Sequence, residues 1–177
     1  CEEFKSNPKY SFRHLDITRG PQVNDAFRRY SPTHVVHFAA ESHVDNSIKN
    51  PSIFLETNVM GTSNLLRAAL QYKVGRFHHI STDEVYGSLG DKGKFKETTP
   101  YAPKNPYSAS KAASDHLVRA FGHTFGLPYT ISNCSNNYGP NQHKEKFIPT
   151  ILRNLVAGNK IPVYGQGTNV RDWIYVE

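Results

Sequence analysis

The sequence predicts an α/β fold, a parallel sheet built of βαβ units and incomplete at both ends. Three observations carry that prediction. Short apolar runs rich in β-branched and aromatic residues alternate with longer segments of helical periodicity. The segments that follow the strand-like runs are polar or small, as they are where a parallel sheet presents its ligand-binding end. The length of 177 residues suits about one domain.

Taken along the chain, Phe12–Ile17 reads as a strand and Gln22–Tyr30 as a helix, with Val23, Ala26 and Phe27 at helical spacing. Thr33–Ala39 is a second strand. Pro51–Tyr72 is a long helix with Pro51 in its first turn and Leu55, Val59, Leu66 and Leu70 on one face. Arg76–Ser81 is a third strand, and Ser88–Pro106 is a surface excursion of Gly, Lys and Pro. Pro106–Phe125 is a second long helix, ended by Gly126 and Pro128. Tyr129–Asn133 is a fourth strand and Phe147–Ala157 a third helix. Ile161–Tyr164 and Trp173–Val176 are short strands.

Composition narrows the function. Lys and Arg number 21 against 15 Asp and Glu, a formal charge of +6. The basic residues are scattered, so the excess describes a solvated surface or an anionic small ligand, with nucleotides ahead of nucleic acid. No apolar run approaches the roughly 20 residues of a membrane span, and no secretory signal is visible. Cys1 and Cys134 make neither a disulfide framework nor a four-ligand metal site, so a cytoplasmic setting is expected. His37, His43, His78, His79 and His143 match no metal-binding spacing, and no metal is expected. No G-x-S-x-G elbow marks a serine hydrolase.

Two constellations point to chemistry. Tyr107 and Lys111 lie four apart near a helix start, on one face. An ammonium beside a phenol lowers its pKa from about 10, and a tyrosinate so favoured is a general base. Asp83 and Glu84 end the third strand region within S-T-D-E-V-Y-G (81–87), where two carboxylates can divide acid and base work. Asn133–Pro140 places further amides after the next strand. Each feature also has an ordinary reading: a helical surface pair, a capped solvated turn, and an Asn-Gly turn.

Together these segments resemble the extended short-chain dehydrogenase/reductases, NAD-dependent nucleotide-sugar enzymes, and within them the 4,6-dehydratases. The likeness rests on L-D-I (15–17), H-F-A-A-E-S-H-V-D-N-S (37–47), F-L-E-T-N-V-M-G-T (54–62), S-T-D-E-V-Y-G (81–87) and P-Y-S-A-S-K-A (106–112). It continues in N-C-S-N-N-Y-G-P (133–140), E-K-F-I-P (145–149) and V-Y-G-Q-G-T-N-V-R-D-W-I-Y-V-E (163–177). The T-D-E triplet is what separates such dehydratases from related epimerases and decarboxylases, which remain the alternative together with a non-catalytic module.

The resemblance implies a Rossmann-like doubly wound parallel sheet, incomplete at both ends: a partial NAD-binding domain with the catalytic residues over residues 1–160, and the start of a substrate-binding region over 161–177. It implies NAD as a retained cofactor. Asp16 and Ile17 would flank the adenine. Phe38, Ala39, Ala40, Glu41, Ser42 and Thr57 would line the cofactor, Tyr107 and Lys111 would hold the nicotinamide ribose, and Asn137 would also meet it. It implies dTDP-glucose or a similar nucleotide sugar as substrate, bound by Ser42, Thr82, Asn136, Lys146, Phe147, Pro162, Val163, Tyr164 and Arg171. The implied catalytic set is Thr82, Asp83, Glu84, Tyr107 and Lys111. A homodimer serving dTDP-rhamnose synthesis, without nucleic-acid or membrane partners, is implied as well. The family's first strand and Gly-rich turn have no counterpart in these 177 residues, nor does most of its substrate domain. The chain alone is therefore expected to bind NAD poorly and not to turn over.

Overall fold

The computed structural model describes residues 4–90, 92–163 and 165–177. By packing the chain forms two units that meet between Ser132 and Asn133. This boundary falls ahead of the division between residues 160 and 161 drawn on function.

In the first unit, α1 (Gly20–Tyr30) is followed by β1 (His34–His37), α2 (Val44–Lys49), α3 (Pro51–Phe54), a π-helical segment (Leu55–Gly61) and α4 (Thr62–Gln71). Then come β2 (Arg76–Thr82), a 3₁₀ turn (Asp83–Tyr86), α5 (Pro106–Phe125) and β3 (Tyr129–Cys134). The sheet order is β1-β2-β3, with β2 in the centre. β1 and β2 run parallel, with Val35 opposite Phe77 and His37 opposite His79. The Phe77 N–H donates to Pro128 O at 2.9 Å, at the start of β3.

The core forms where α1, α4, α5 and the sheet converge. Val23, Phe27, Leu66, Ala69, Phe77 and Val118 are its buried members. Val23 and Phe27 are four apart and face inward, as the helical spacing of α1 requires.

Several expectations are corrected. Phe12–Asp16 has no regular structure and pairs with no strand among the described residues. Ile17, the last residue of the strand expected over Phe12–Ile17, is buried, but in a turn that packs on Gly61, where a Cβ would run into the Ile17 side chain. The long helix over Pro51–Tyr72 is helical throughout Pro51–Gln71 but not uniformly α. The wider π turn shifts the rotational phase between its two halves. Leu55 therefore stays 53% exposed while Leu66 is fully buried, although a uniform α-helix would put both on one face. Ile161–Val163 forms no strand, and Tyr164 lies outside the described residues, as does Cys1. The short α2 and β4 were not foreseen.

α5 matches its expected span because its ends are coded locally. The Asn105 side chain accepts from Ser108 N at 2.8 Å, and the Ser108 hydroxyl closes a capping box. Pro106 occupies the first turn, and Gly126 caps the C-terminus at φ 69°. The excursion before α5 is held down by rings: Phe95 stacks on Tyr86 at 5.2 Å and Tyr101 meets the same ring edge-on.

The second unit contains β4 (Asn136–Tyr138), α6 (Phe147–Val156) and β5 (Trp173–Tyr175). β4 and β5 pair in parallel, Asn137 opposite Ile174, and Phe147 stacks on Trp173 at 5.9 Å.

Candidate active site

The site is built where β2 ends. Thr82, buried and extended, is the N-cap of the 3₁₀ turn, and Glu84 N–H donates to its hydroxyl oxygen at 3.3 Å. The turn that follows sets Asp83 and Glu84 side by side, both half-buried. The Thr82 hydroxyl is shared between Asp83 Oδ1, at 3.3 Å, and the Tyr107 phenol on the first turn of α5. Asn105 Nδ2 donates to Glu84 Oε2 at 3.2 Å. The residue that caps α5 therefore also fixes the carboxylate. The expected catalytic residues Thr82, Asp83, Glu84 and Tyr107 thus form one cluster, with Lys111 one helical turn beyond Tyr107.

Electrostatics correct one expectation. The Tyr107 phenol is pushed up to about 12, by burial first, against the Thr82 hydrogen bond, with Glu84, Asp83 and Asp115 adding to the rise. The reason lies in where Lys111 points. Its Nζ donates to Ile80 O at 2.7 Å and sits 3.5 Å from His79 Nε2, so the ammonium serves the sheet and not the phenol. Tyr107 by itself is a protonated phenol, not a ready base. Lys111 is only 4% exposed, and burial lowers it to about 8 while Asp115 opposes the drop.

Behind this cluster runs a polar network absent from the sequence-based list. Asn58, on the π segment, is 1% exposed. Its amide donates to Glu41 O at 3.0 Å and to Ser110 Oγ at 2.9 Å, and accepts from Glu41 N at 2.8 Å. Its backbone carbonyl accepts from the Thr62 and Ser114 hydroxyls, each at 2.5 Å. Thr62 Oγ1 in turn lies 2.9 Å from His37 Nε2. Since the Thr62 proton goes to Asn58 O, His37 carries its own on Nε2. Asp115 is fully buried, and its Oδ2 accepts from Ser81 and Tyr101 hydroxyls, each at 2.8 Å. A signal for part of this was present: Tyr107, Ser110, Lys111, Ser114 and Asp115 recur at helical spacing, a polar stripe where a core-facing apolar one belongs.

The expected cofactor residues fall in several places. Asp16 is exposed; its Oδ1 accepts from Thr18 N and the Thr18 hydroxyl, which lowers its pKa. Phe38 is 73% exposed and followed by the small Ala39 and Ala40 beyond β1. Glu41 is held through its backbone by Asn58, Ser42 is exposed, and Thr57 is half-buried. These residues fit a dinucleotide in kind. The phenol and ammonium of α5 suit ribose hydroxyls, and the open apolar surface at Phe38 with two alanines leaves room for a flat group. Asn136, Asn137, Lys146, Phe147, Pro162, Val163 and Arg171 lie in the second unit. There Lys146 is the N-cap of α6, and Arg171 donates to Val170 O at 2.8 Å. No group of three or more His, Cys, Asp or Glu residues able to hold a metal occurs among the described residues. None of their helices is long and apolar enough to cross a membrane.

The family model for GDP-mannose 4,6 dehydratase matches residues 2–177, the parallel sheet, the Tyr-x-x-x-Lys helix and the strand-end carboxylate pair included. The chain belongs to that family. More particularly, it is 51% identical to a dTDP-glucose 4,6-dehydratase of Neisseria meningitidis serogroup B, over 99% of this chain and 52% of the relative. It is 53% identical to one of Xanthomonas campestris pv. campestris, over 97% and 52%. Among solved structures, DesIV of Streptomyces venezuelae, a dTDP-glucose 4,6-dehydratase with NAD and TYD bound, superposes with a TM-score of 0.94 at 48% identity, covering 98% of this chain and 53% of that one. A UDP-glucose 4-epimerase of Thermus thermophilus in complex with NAD superposes at 0.86 with 34% identity, over 92% and 55%. The chain spans about half the length of these relatives.

Proposed function

We propose that the protein carrying this chain dehydrates dTDP-glucose to its 4-keto-6-deoxy sugar with NAD as cofactor. The observation that carries the reading is the placement of Asp83 and Glu84, adjacent and half-buried, beside the Thr82–Tyr107 pair. Oxidation alone needs a phenol and an ammonium; elimination of water needs an acid and a base as well.

Thr82 orients the sugar's C4 hydroxyl toward Tyr107, and Tyr107 takes its proton as C4 is oxidised. NAD supplies, when bound, a hydride acceptor that also carries positive charge, which favours the tyrosinate that burial disfavours. Lys111 and Tyr107 hold its ribose. With a ketone at C4 the C5–H bond is acidic. Glu84, oriented by Asn105, removes that proton, Asp83 protonates the departing C6 hydroxyl, and the hydride taken from C4 returns to C6 as a proton returns to C5, which leaves the 4-keto-6-deoxy sugar and no net oxidation. In the second unit Lys146 and Arg171 bring charge suited to a diphosphate.

The neighbouring reading, a nucleotide-sugar 4-epimerase, draws support from the Thermus thermophilus likeness. An epimerase has no need of the Asp83–Glu84 pair. By its likeness to the dehydratases, the reading extends to a cytoplasmic homodimer in dTDP-rhamnose synthesis. The full-length protein, incubated with dTDP-glucose, should yield a product lighter by one water with a C6 methyl resonance. A product of unchanged mass and inverted C4 refutes the reading.

A further inference from the structure

The mechanism above uses Lys111 but leaves unexplained how a cation survives where it lies. Lys111 is 4% exposed, and its Nζ donates to a neutral acceptor, Ile80 O, at 2.7 Å. Removing an ammonium from water costs several kcal/mol unless an opposite charge accompanies it. Asp115, one helical turn further along α5 on the same face, is fully buried. Its Oδ2 accepts hydrogen bonds from the Ser81 and Tyr101 hydroxyls, each at 2.8 Å. Its Oδ1 faces His79 Nε2 at 3.3 Å, and the same nitrogen is 3.5 Å from Lys111 Nζ.

The tautomer of His79 follows from its other nitrogen. Nδ1 is buried and has no hydrogen-bond partner. A buried orphan donor is costlier than a buried orphan acceptor, so the proton sits on Nε2, which faces Asp115 Oδ1 at 3.3 Å. The imidazole is kept neutral, by burial first. It carries no charge of its own and anchors the carboxylate beside the lysine.

We propose that Asp115 is a positioning residue whose carboxylate, held by His79, Ser81 and Tyr101, is the counter-charge that keeps Lys111 protonated.

The other ionisable groups around this pair do not replace it. From β1, His37 is neutral, its ring 5.1 Å from that of His79. From the 3₁₀ turn, Asp83 and Glu84 act on Tyr107, and Tyr86 is a neutral phenol that burial pushes up. From α5, Arg119 donates to the Tyr101 hydroxyl at 3.4 Å and stacks over that ring, so it reaches Asp115 through Tyr101.

The inference gains its functional meaning from the dehydratase reading, since the charge on Lys111 is what would meet a cofactor ribose. Its test needs neither cofactor nor substrate, so the two can fail separately. In the full-length protein, the titration midpoint of Lys111 is read by trace acetylation across pH with peptide mass spectrometry. Asp115→Asn should lower the midpoint by about one pH unit, roughly tenfold more free amine at a fixed pH. Asp115→Glu, which keeps the charge, should stay within a few tenths. An unmoved midpoint in Asp115→Asn, or an equal drop in Asp115→Glu, overturns the proposal. Thermal unfolding gives an arm that does not need Asp115→Asn to fold alone. Lys111→Met strands a buried carboxylate and should lower Tm, and Lys111→Met/Asp115→Asn, which removes both charges, should recover part of the loss. A double variant less stable than Lys111→Met overturns the pairing.

Discussion

Replacing Asn58 by Ala tests whether the buried amide braces the site. The side chain makes three hydrogen bonds of 2.8 to 3.0 Å, two to the Glu41 backbone beyond β1 and one to Ser110 on α5. Each is worth roughly 1 kcal/mol net, and deletion leaves the Glu41 N–H and C=O seeking water at a half-buried position. The loss should be about 3 kcal/mol, a large part of the 5–15 kcal/mol that typically holds a domain together. Thr57→Ala, one residue earlier and half-buried, should change stability by no more than about 0.5 kcal/mol. Urea unfolding of the full-length protein reads both. With a slope of about 2 kcal/mol/M, Asn58→Ala should shift the midpoint by roughly 1.5 M. A loss below about 1 kcal/mol, or one no larger than that of Thr57→Ala, refutes the reasoning.

Tyr107→Phe should abolish both oxidation and dehydration, so NADH absorbance should not rise when NAD-loaded variant meets dTDP-glucose; rapid NADH formation removes Tyr107 from its role. Asp83→Asn and Glu84→Gln should both still oxidise C4 while losing on the order of 10²–10⁴ in elimination rate. A 6-fluoro substrate, which needs less protonation to depart, should rescue Asp83→Asn far more than Glu84→Gln; equal rescue defeats the division of labour. His37 is held at about 3 by burial first, well below its usual 6.5. The unfolded chain therefore binds a proton that the folded one refuses, and stability is full above pH 6.5 and falls as pH drops toward 3. That gap, at roughly 1.4 kcal/mol per pH unit, amounts to on the order of 5 kcal/mol. His37→Gln should flatten the fall of Tm with acid; an unchanged slope contradicts the assignment.

Where local chemistry decides, the sequence was legible. The capping box at Asn105, Pro106 and the Gly126 cap delimit α5, and alternation located β1, β2 and β3 to within a residue or two. Asp83, Glu84, Tyr107 and Thr82 were read as a site because each follows a strand or opens a helix. Phe12–Ile17 failed because an apolar run becomes a strand only beside a partner, and partnership is not a local property. The π segment failed because six or seven residues of ordinary helical composition do not announce a wider turn. Without that turn, Asn58 reads as surface, next to the Thr57 that was chosen instead. Asp115 and His79 were passed over for a different reason. Burial turns a solvated i, i+4 pair into a consequential one, and burial emerges only when β2 and α5 meet.

The most direct test of the dehydratase reading follows two hydrogens. The full-length protein is given dTDP-glucose deuterated at C4, and a parallel reaction of unlabelled substrate is run in D₂O. The account predicts that the C4 deuterium appears in the C6 methyl group of the product, and that solvent deuterium enters at C5. Return of the label to C4, with no deuterium gained at C5, would contradict it and leave an epimerase.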